Sequence, residues 1–282
     1  MRISVIQMSP ASVKSDNIAQ ASRLIDACLA SDRPDLIVLP EIWTCLGGSR
    51  DTKFESAEVI PSAGSDDAGG EAFRFLRQVA ITNRIYVHGG SIGERAGEKL
   101  LNTSLVFDPE GRLLARYSKI HLFDIITPSG VGYRESDTYL AGNDVVTVPL
   151  AGRFGELRLG LAICYDIRFG ELFHRLRREG ADLIILPAAF TAETGEAHWE
   201  TLLRARAIET QCWMAAAGTV GAHHDADGHK RLTHGHSMIV DPWGTVTAQA
   251  STGIGWATGS VDQDRVARVR AGIPVMDHRR LL

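Results

Sequence analysis

The feature that most constrains the fold is a short apolar run that ends abruptly in a cysteine. Residues 159–163 are all apolar apart from a glycine, and Cys164 follows them directly, with polar residues after it. A run of this kind is typical of a buried strand in a parallel sheet. Enzymes of the α/β class place nucleophiles where such a strand turns into a helix. The run therefore favours an α/β fold with Cys164 as a candidate nucleophile; the alternative is a small core residue.

The residues after Cys164 bear on its reactivity. A helical pattern runs from Glu171 to about Glu179, and its amino terminus would point back toward the sulfur. A helix dipole and free backbone N–H groups stabilise a thiolate. We therefore expect the pKa of the Cys164 thiol to lie below its usual range.

Strands and helices alternate along all 282 residues with no linker between the two halves. The clearest predicted elements are strands at 2–7, 36–39, 101–107, 112–117 and 183–186 and helices at 17–30, 71–83 and 199–210. Two strand-rich halves, each with helices, predict an αββα sandwich in which the sheets face each other beneath outer helices. We expect residues 1–282 to form a single α/β domain.

Three stretches lack this periodicity. Residues 47–70 are rich in Gly, Ser and Asp and predict a long surface excursion, and residues 118–141 predict a long loop, which is uncommon without a function. A Gly-rich stretch near residue 230 carries a group of histidines: His223, His224, His229, His234 and His236. Because they lack the spacing of metal ligands, we expect a solvated loop and no metal site.

Composition narrows the class of partner. The net charge of −4 gives no overall attraction to nucleic acid or anionic membranes. No stretch approaches the roughly 18 apolar residues of a membrane span, and residues 1–10 do not resemble a signal peptide. The four cysteines lie far apart, which predicts neither disulfides nor a zinc ribbon. We expect a cytoplasmic protein with a small-molecule partner.

Three apolar strands end in a reactive side chain or lead directly into one. Glu41 follows the strand at 36–39, Lys119 follows the strand at 112–117, and Cys164 ends the third. The carboxyl ends of strands form the ligand sites of α/β sheets, so these side chains are expected to converge. Each alone has an ordinary alternative: a loop carboxylate, a surface lysine and a core thiol.

Together these groups support acyl transfer. A thiolate attacks an amide or nitrile carbon, and a carboxylate beside it moves the protons. The Lys119 ammonium, with the backbone N–H of Tyr165, would stabilise the oxyanion of the tetrahedral intermediate. We expect this chemistry to need no metal and no organic cofactor.

The segments around Glu41, Lys119 and Cys164 resemble the motifs of a known enzyme family. Leu-Pro-Glu41, Tyr-Ser-Lys119-Ile-His and Cys164-Tyr-Asp-Ile-Arg-Phe are similar to the three signatures of the nitrilase superfamily of carbon–nitrogen hydrolases. The resemblance implies a Glu-Lys-Cys triad, an αββα sandwich and a homodimer or larger homo-oligomer, with residues 272–282 at an interface. It also implies that Glu135 is a second glutamate that holds Lys119 and orients the scissile amide. The alternative for Glu135 is an ordinary loop carboxylate.

Within the superfamily the chain resembles the Nit-type amidases, on residues 119–124, 197–200, 203–212 and 235–244. This branch implies either an ω-amidase acting on 2-oxoglutaramate or 2-oxosuccinamate, or a deaminated-glutathione amidase that cuts the same 2-oxoglutaryl amide bond in a larger substrate. Residues 204–212, 223–224 and 235–238 are more similar to the second. We therefore expect hydrolysis of deaminated glutathione to 2-oxoglutarate and Cys-Gly.

Both substrates carry a 2-oxo carboxylate that needs a cation. Arg168 is the candidate, since a guanidinium binds a carboxylate through two hydrogen bonds. The alternative is a structural ion pair of Arg168 with Glu171 or Asp166. The resemblance places Phe190 in the same pocket, and His121, in the lysine motif, is a third candidate substrate-binding residue.

Two further interpretations stay open. Within the enzyme class, the protein is alternatively an N-carbamoyl amino-acid amidohydrolase or a broader aliphatic amidase. Outside it, the chain would be a catalytically silent scaffold of the same fold. The presence of Glu41, Lys119, Cys164 and Glu135 together favours an active enzyme.

Overall fold

The computed structural model describes residues 1–62, 68–127, 130–226 and 228–280. Within these ranges the helices are α1 (Lys14–Asp32), α2 (Arg50–Ser56), α3 (Glu71–Asn83), α4 (Gly170–Arg178), α5 (Ala192–Thr210), α6 (Gln263–Gly272) and α7 (Val275–His278). The first strands are β1 (Arg2–Gln7), β2 (Leu36–Val38), β3 (Tyr86–His88), β4 (Ile92–Ala96), β5 (Lys99–Phe107), β6 (Leu113–Ser118), β7 (Asp124–Ile126), β8 (Gly132–Arg134) and β9 (Tyr139–Leu140). The remaining strands are β10 (Thr147–Gly152), β11 (Gly155–Leu161), β12 (Leu183–Ala188), β13 (Trp213–Gly218), β14 (Val220–His224), β15 (Lys230–His234), β16 (Met238–Val240), β17 (Val246–Gln249) and β18 (Gly255–Ser260).

The strands form two main sheets of similar layout. The first has the order β18-β1-β2-β3-β5-β4, with β6 and β9 also paired to β5, and the second has the order β10-β11-β12-β13-β16-β17. Each sheet has a parallel centre, β1-β2-β3 in one and β11-β12-β13 in the other, flanked by antiparallel strands. The predicted α/β class is confirmed.

Side-chain alternation shows how the layers stack. In β2, Leu36 and Val38 join the core between the sheets, whereas Ile37, with Leu39 just after the strand, joins the core beneath α1 and α3. Since successive strand residues point to opposite faces, both faces of this apolar strand are covered. The second sheet packs in the same way against α4 and α5. The αββα sandwich is therefore confirmed.

The two sheets are also joined at one end. The chain leaves β13 at Thr219, which forms an isolated parallel bridge with Met8 just after β1. The backbone N–H of Val220 donates to the carbonyl of Met8 at 2.8 Å. This link brings the carboxyl ends of β1 and β13 to the same edge of the sandwich.

Three expectations about irregular segments were wrong in part. Residues 47–70 include helix α2, and residues 118–141 include the β7–β8 hairpin and β9. The histidine-rich stretch is mostly the β14–β15 hairpin. Backbone pairing supports these strands without an alternating apolar pattern, which is why periodicity missed them. Parts of all three stretches, residues 63–67, 128–129 and 227, lie outside the described residues.

His223 departs furthest from the expected solvated loop. Its side chain is buried, its Nδ1 donates to the carbonyl of Pro10 at 2.8 Å, and its Nε2 accepts from the Thr233 hydroxyl at 2.8 Å. Burial lowers the pKa of this imidazole. His223 is thus a neutral structural residue that ties the hairpin to the segment after β1.

Helix α5 starts at Ala192 rather than at the predicted Trp199. The Thr191 side chain caps it by accepting the Thr194 N–H at 3.4 Å. Gly195, which weakens the helical pattern, is required by packing, because a Cβ there would lie 2.4 Å from the His234 side chain.

Among the described helices, none is both long enough and apolar enough to cross a membrane.

The nucleophile turn is the 3-10 segment Cys164–Arg168, which joins β11 to α4. Cys164 has φ of 45°, in the left-handed region that residues other than glycine seldom adopt. Such a conformation costs roughly 1–2 kcal/mol and persists only where the surroundings hold it.

Asp166 supplies much of that support. It is fully buried, and its Oδ2 accepts the Ile163 N–H at 2.8 Å and the Tyr117 hydroxyl at 2.7 Å. Its Oδ1 accepts the backbone N–H of His121 at 3.0 Å and the Nδ1–H of the same residue at 2.8 Å. One carboxylate therefore binds the strand before Cys164 to the lysine segment of the other sheet.

We expect Asp166→Asn to lower the free energy of unfolding by about 2 kcal/mol, because the new amide group cannot accept from all of these buried donors. Urea denaturation followed by circular dichroism measures the change. The matched control is Glu171→Gln, which changes an exposed carboxylate on α4. We expect it to change the free energy of unfolding by less than about 0.5 kcal/mol. Equal stability of the two variants would contradict this account of the turn.

Candidate active site

A cavity of about 540 Å³ opens at the carboxyl ends of strands from both sheets. The predicted site residues that line it are Glu41, Lys119, Glu135, Cys164, Tyr165 and Phe190. Glu41 follows β2 and Lys119 follows β6 in the first sheet, while Cys164 follows β11 in the second. The three side chains therefore meet in one cavity, as expected from their positions at strand ends.

Lys119 lies at the centre of the site. Its Nζ donates to Glu41 Oε1 at 2.8 Å and to Glu135 Oε2 at 2.9 Å, and its side chain is only 2% exposed. Burial acts to lower the pKa of this lysine, but the charges of Glu135 and Glu41 outweigh it and hold the pKa well above its usual value. The ammonium is therefore a permanent cation.

Three hydrogen-bond donors hold the Glu41 carboxylate. Its Oε1 accepts from Lys119 and from the Asn102 side-chain amide at 2.9 Å, and its Oε2 accepts the Ala189 backbone N–H at 2.7 Å. Ala189 follows β12 directly, so this carboxylate of the first sheet is bonded to the second. The three donors restrict the carboxylate to one orientation beside the thiol.

The expected lowering of the Cys164 pKa was wrong. Burial raises the pKa of the thiol well above its usual value, and the Glu41 carboxylate raises it further through its charge and a hydrogen bond, while Lys119 opposes this in part. Helix α4 begins at Gly170, beyond the 3-10 turn, so its amino terminus does not start at the sulfur. Cys164 thus rests as a thiol with a carboxylate beside it.

Asn102 is a site residue that the sequence interpretation missed. It is fully buried in β5, and its Nδ2 donates to Glu41 Oε1 at 2.9 Å and to Glu135 Oε1 at 3.2 Å. Its Oδ1 is buried without a hydrogen-bond partner among the described residues. An asparagine inside the predicted strand at 101–107 was the available signal, because buried amides are rare unless bonded.

Glu135 lies in the 3-10 turn after β8, and its Oε2 also accepts the Phe123 backbone N–H at 2.7 Å. The segment predicted as a long loop therefore folds back over Lys119 and carries a carboxylate into the cavity.

Arg168 stands one layer behind the cavity wall. Its guanidinium lies 5.3 Å from the Phe190 ring centroid and 5.9 Å from that of Tyr165. It donates to His198 Nδ1 at 3.3 and 3.4 Å. Within the described ranges it forms no ion pair, so the alternative pairing with Asp166 or Glu171 does not occur there. Its binding of a substrate carboxylate stays a prediction.

His121 is not among the residues that line the cavity. Its Nδ1–H is bonded to Asp166, and its ring stacks on Phe169 at a centroid distance of 3.7 Å and an interplanar angle of 6°. These contacts support the nucleophile turn, and no contact supports the predicted substrate-binding role of His121.

The comparisons with known proteins agree with this geometry. The model of the carbon–nitrogen hydrolase family matches residues 2–271. The chain is 41% identical over 276 residues to a deaminated glutathione amidase of Synechocystis, covering 97% of this chain and 96% of that protein. It is 38% identical over 281 residues to the human omega-amidase NIT2, covering 99% of this chain and 95% of that protein.

Solved structures give the same result. The C. elegans NitFhit protein superposes with a TM-score of 0.85 at 36% identity, covering 99% of this chain and 65% of that one. Saccharomyces cerevisiae Nit3, described as a nitrilase-superfamily member, superposes with a TM-score of 0.84 at 28% identity, covering 100% of this chain and 97% of that one. The resemblance carried by the three motifs is confirmed: the chain belongs to the carbon–nitrogen hydrolase family and is a hydrolase of amide carbon–nitrogen bonds other than peptide bonds.

Proposed function

We propose that the protein is a thiol amidase that hydrolyses deaminated glutathione to 2-oxoglutarate and Cys-Gly through a thioester on Cys164. The observation that carries the chemistry is the buried Lys119 ammonium, which joins Glu41 and Glu135 beside the thiol. The substrate is supported by the relative of that name, which matches nearly the whole chain. The cavity volume also falls in the range of sites that enclose molecules of this size.

In the acylation step, Glu41 takes the proton of the Cys164 thiol as the sulfur attacks the amide carbon. The carbonyl oxygen becomes an oxyanion, which the Lys119 ammonium and the Tyr165 N–H stabilise. When the intermediate collapses, the carbon–nitrogen bond breaks and Glu41 returns the proton to the leaving amine. The amine of Cys-Gly departs and a thioester remains.

Deacylation repeats these roles with water. Glu41 takes a proton from the water molecule as its oxygen attacks the thioester carbon. The carbon–sulfur bond then breaks, and the proton on Glu41 passes to the departing sulfur. The enzyme returns to its thiol form and 2-oxoglutarate is released, without a metal or an organic cofactor in any step.

A second candidate is ω-amidase activity on 2-oxoglutaramate, favoured by the similarity to the human omega-amidase NIT2. The same site would perform the same steps, with ammonia as the leaving group. The two candidates differ only in what occupies the cavity beyond the scissile nitrogen.

We also propose three properties that the sequence suggests. Residues 1–282 form one domain, the protein acts in the cytoplasm, and it pairs as a homodimer with residues 272–282 at an interface. Helix α7 lies in this terminal segment, whose residues 281–282 are outside the described part of the chain. Sedimentation velocity that gives twice the mass of the chain would support the dimer.

Release of 2-oxoglutarate ranks the two substrates, because both yield the same product. We expect a higher kcat/KM for deaminated glutathione than for 2-oxoglutaramate, and no activity above background for Cys164→Ala on either. The reverse order would make the protein an ω-amidase. Turnover that survives in Cys164→Ala would exclude the thioester mechanism.

We expect Glu41→Gln to lower kcat by at least about 100-fold, because a glutamine cannot accept the thiol proton. Steady-state rates with the substrate that wild type prefers measure the loss, and circular dichroism checks that the variant is folded. Glu196→Gln, which changes an exposed carboxylate on α5, is the matched control and should keep the wild-type rate. A Glu41→Gln rate within a few-fold of wild type would show that another group moves the proton.

A further inference from the structure

The cavity has a second charged wall, which the triad does not use. The charged residues of this wall are Lys53, Arg134, Arg231 and Asp225. Taken at full charge, they sum to +2, whereas Lys119 with Glu41 and Glu135 sums to −1. The net positive charge of this wall therefore attracts an anionic group of a bound molecule.

Lys53 is a half-buried cation of this wall. It lies on α2, its side chain is half-buried, and no described residue forms an ion pair or hydrogen bond with its amino group. A partly desolvated ammonium without a partner is stabilised by an anion that enters the cavity.

Arg231 is held in place on β15. Its guanidinium lies over the Tyr133 ring at 5.1 Å, and its Nη2 is 3.6 Å from Asp225 Oδ2. Its Nε is buried without a hydrogen-bond partner among the described residues. The ring and the carboxylate fix this side chain, and the long contact to Asp225 leaves its charge incompletely paired.

Backbone contacts make Lys53 and Arg231 parts of one wall. The Gly48 N–H donates to the His224 carbonyl at 2.9 Å, and the Ala226 N–H donates to the Gly48 carbonyl at 3.2 Å. Gly47, with φ of 95°, allows this approach, since a Cβ there would lie 2.5 Å from the His224 oxygen. The segment that leads into α2 is thereby bonded to the β14–β15 hairpin.

We propose that Lys53 and Arg231 form a subsite for a carboxylate on the leaving-amine side of the substrate. This inference rests on the proposed amidase function and assigns the Cys-Gly end of deaminated glutathione to the charged wall. An extended dipeptide reaches about 7 Å from the scissile nitrogen. The ammonia released from 2-oxoglutaramate has no such group, so the wall distinguishes the two substrates.

The test is the ratio of kcat/KM for deaminated glutathione to kcat/KM for 2-oxoglutaramate in Lys53→Met. We expect the ratio to fall by about 10-fold to 100-fold, mostly through KM for deaminated glutathione, because a charge-assisted contact to the bound substrate is lost. Arg231→Met is a second variant with the same expected direction. Lys230→Met, next to Arg231 but exposed and outside the cavity lining, is the matched control and should keep the wild-type ratio.

The outcomes separate this inference from the function on which it rests. A ratio within about 2-fold of wild type in both cavity variants overturns the subsite and leaves the amidase function standing. An equal loss on both substrates also overturns it, because the wall would then hold the 2-oxo carboxylate that they share. If wild type turns over neither substrate, the proposed function fails and the subsite fails with it.

Discussion

The site depends on one buried ammonium held between two carboxylates. An isolated charge in the interior costs several kcal/mol, so Lys119 can be buried only because Glu41 and Glu135 pair with it. Glu41 in turn is bonded to the Ala189 N–H after β12, a strand of the opposite sheet. The complete site therefore needs both sheets, because the second sheet supplies the Ala189 N–H and the Cys164 thiol that lie beside the ion pairs of the first.

The same arrangement decides the state of the nucleophile. The cluster of Lys119 with two carboxylates has one negative charge in excess, and Cys164 is added to it in a buried position. Burial and the Glu41 charge raise the pKa of the thiol, so the site does not store a thiolate. A carboxylate lies beside the thiol instead, and in the proposed mechanism the nucleophile forms as Glu41 takes the proton. The strained φ of Cys164, braced by Asp166, fixes where the sulfur is when that happens.

Much of the site was predictable because strand ends are predictable. Glu41, Lys119 and Cys164 each follow an apolar strand. The arrangement of the strands brings such positions together, and it does not depend on the conformation of the loops. The direction of the Cys164 pKa shift was not predictable, since it depends first on how deeply the thiol is buried and then on the charge of Glu41. Asn102 was missed for a related reason: only its contacts with Glu41 and Glu135 distinguish it from a defect in a strand.

The charged wall of the cavity could not be predicted from the sequence, for a different physical reason. Lys53 and Arg231 lie in segments that look like surface in the sequence, and a backbone bridge at Gly48 joins these segments beside one cavity. The two sheets thus supply the reacting groups, while α2 and the β14–β15 hairpin, attached outside the sheets, supply the charges around the substrate. Changes in those outer segments leave the strand ends in place. In the proposed enzyme, chemistry and substrate choice are therefore carried by different parts of the chain.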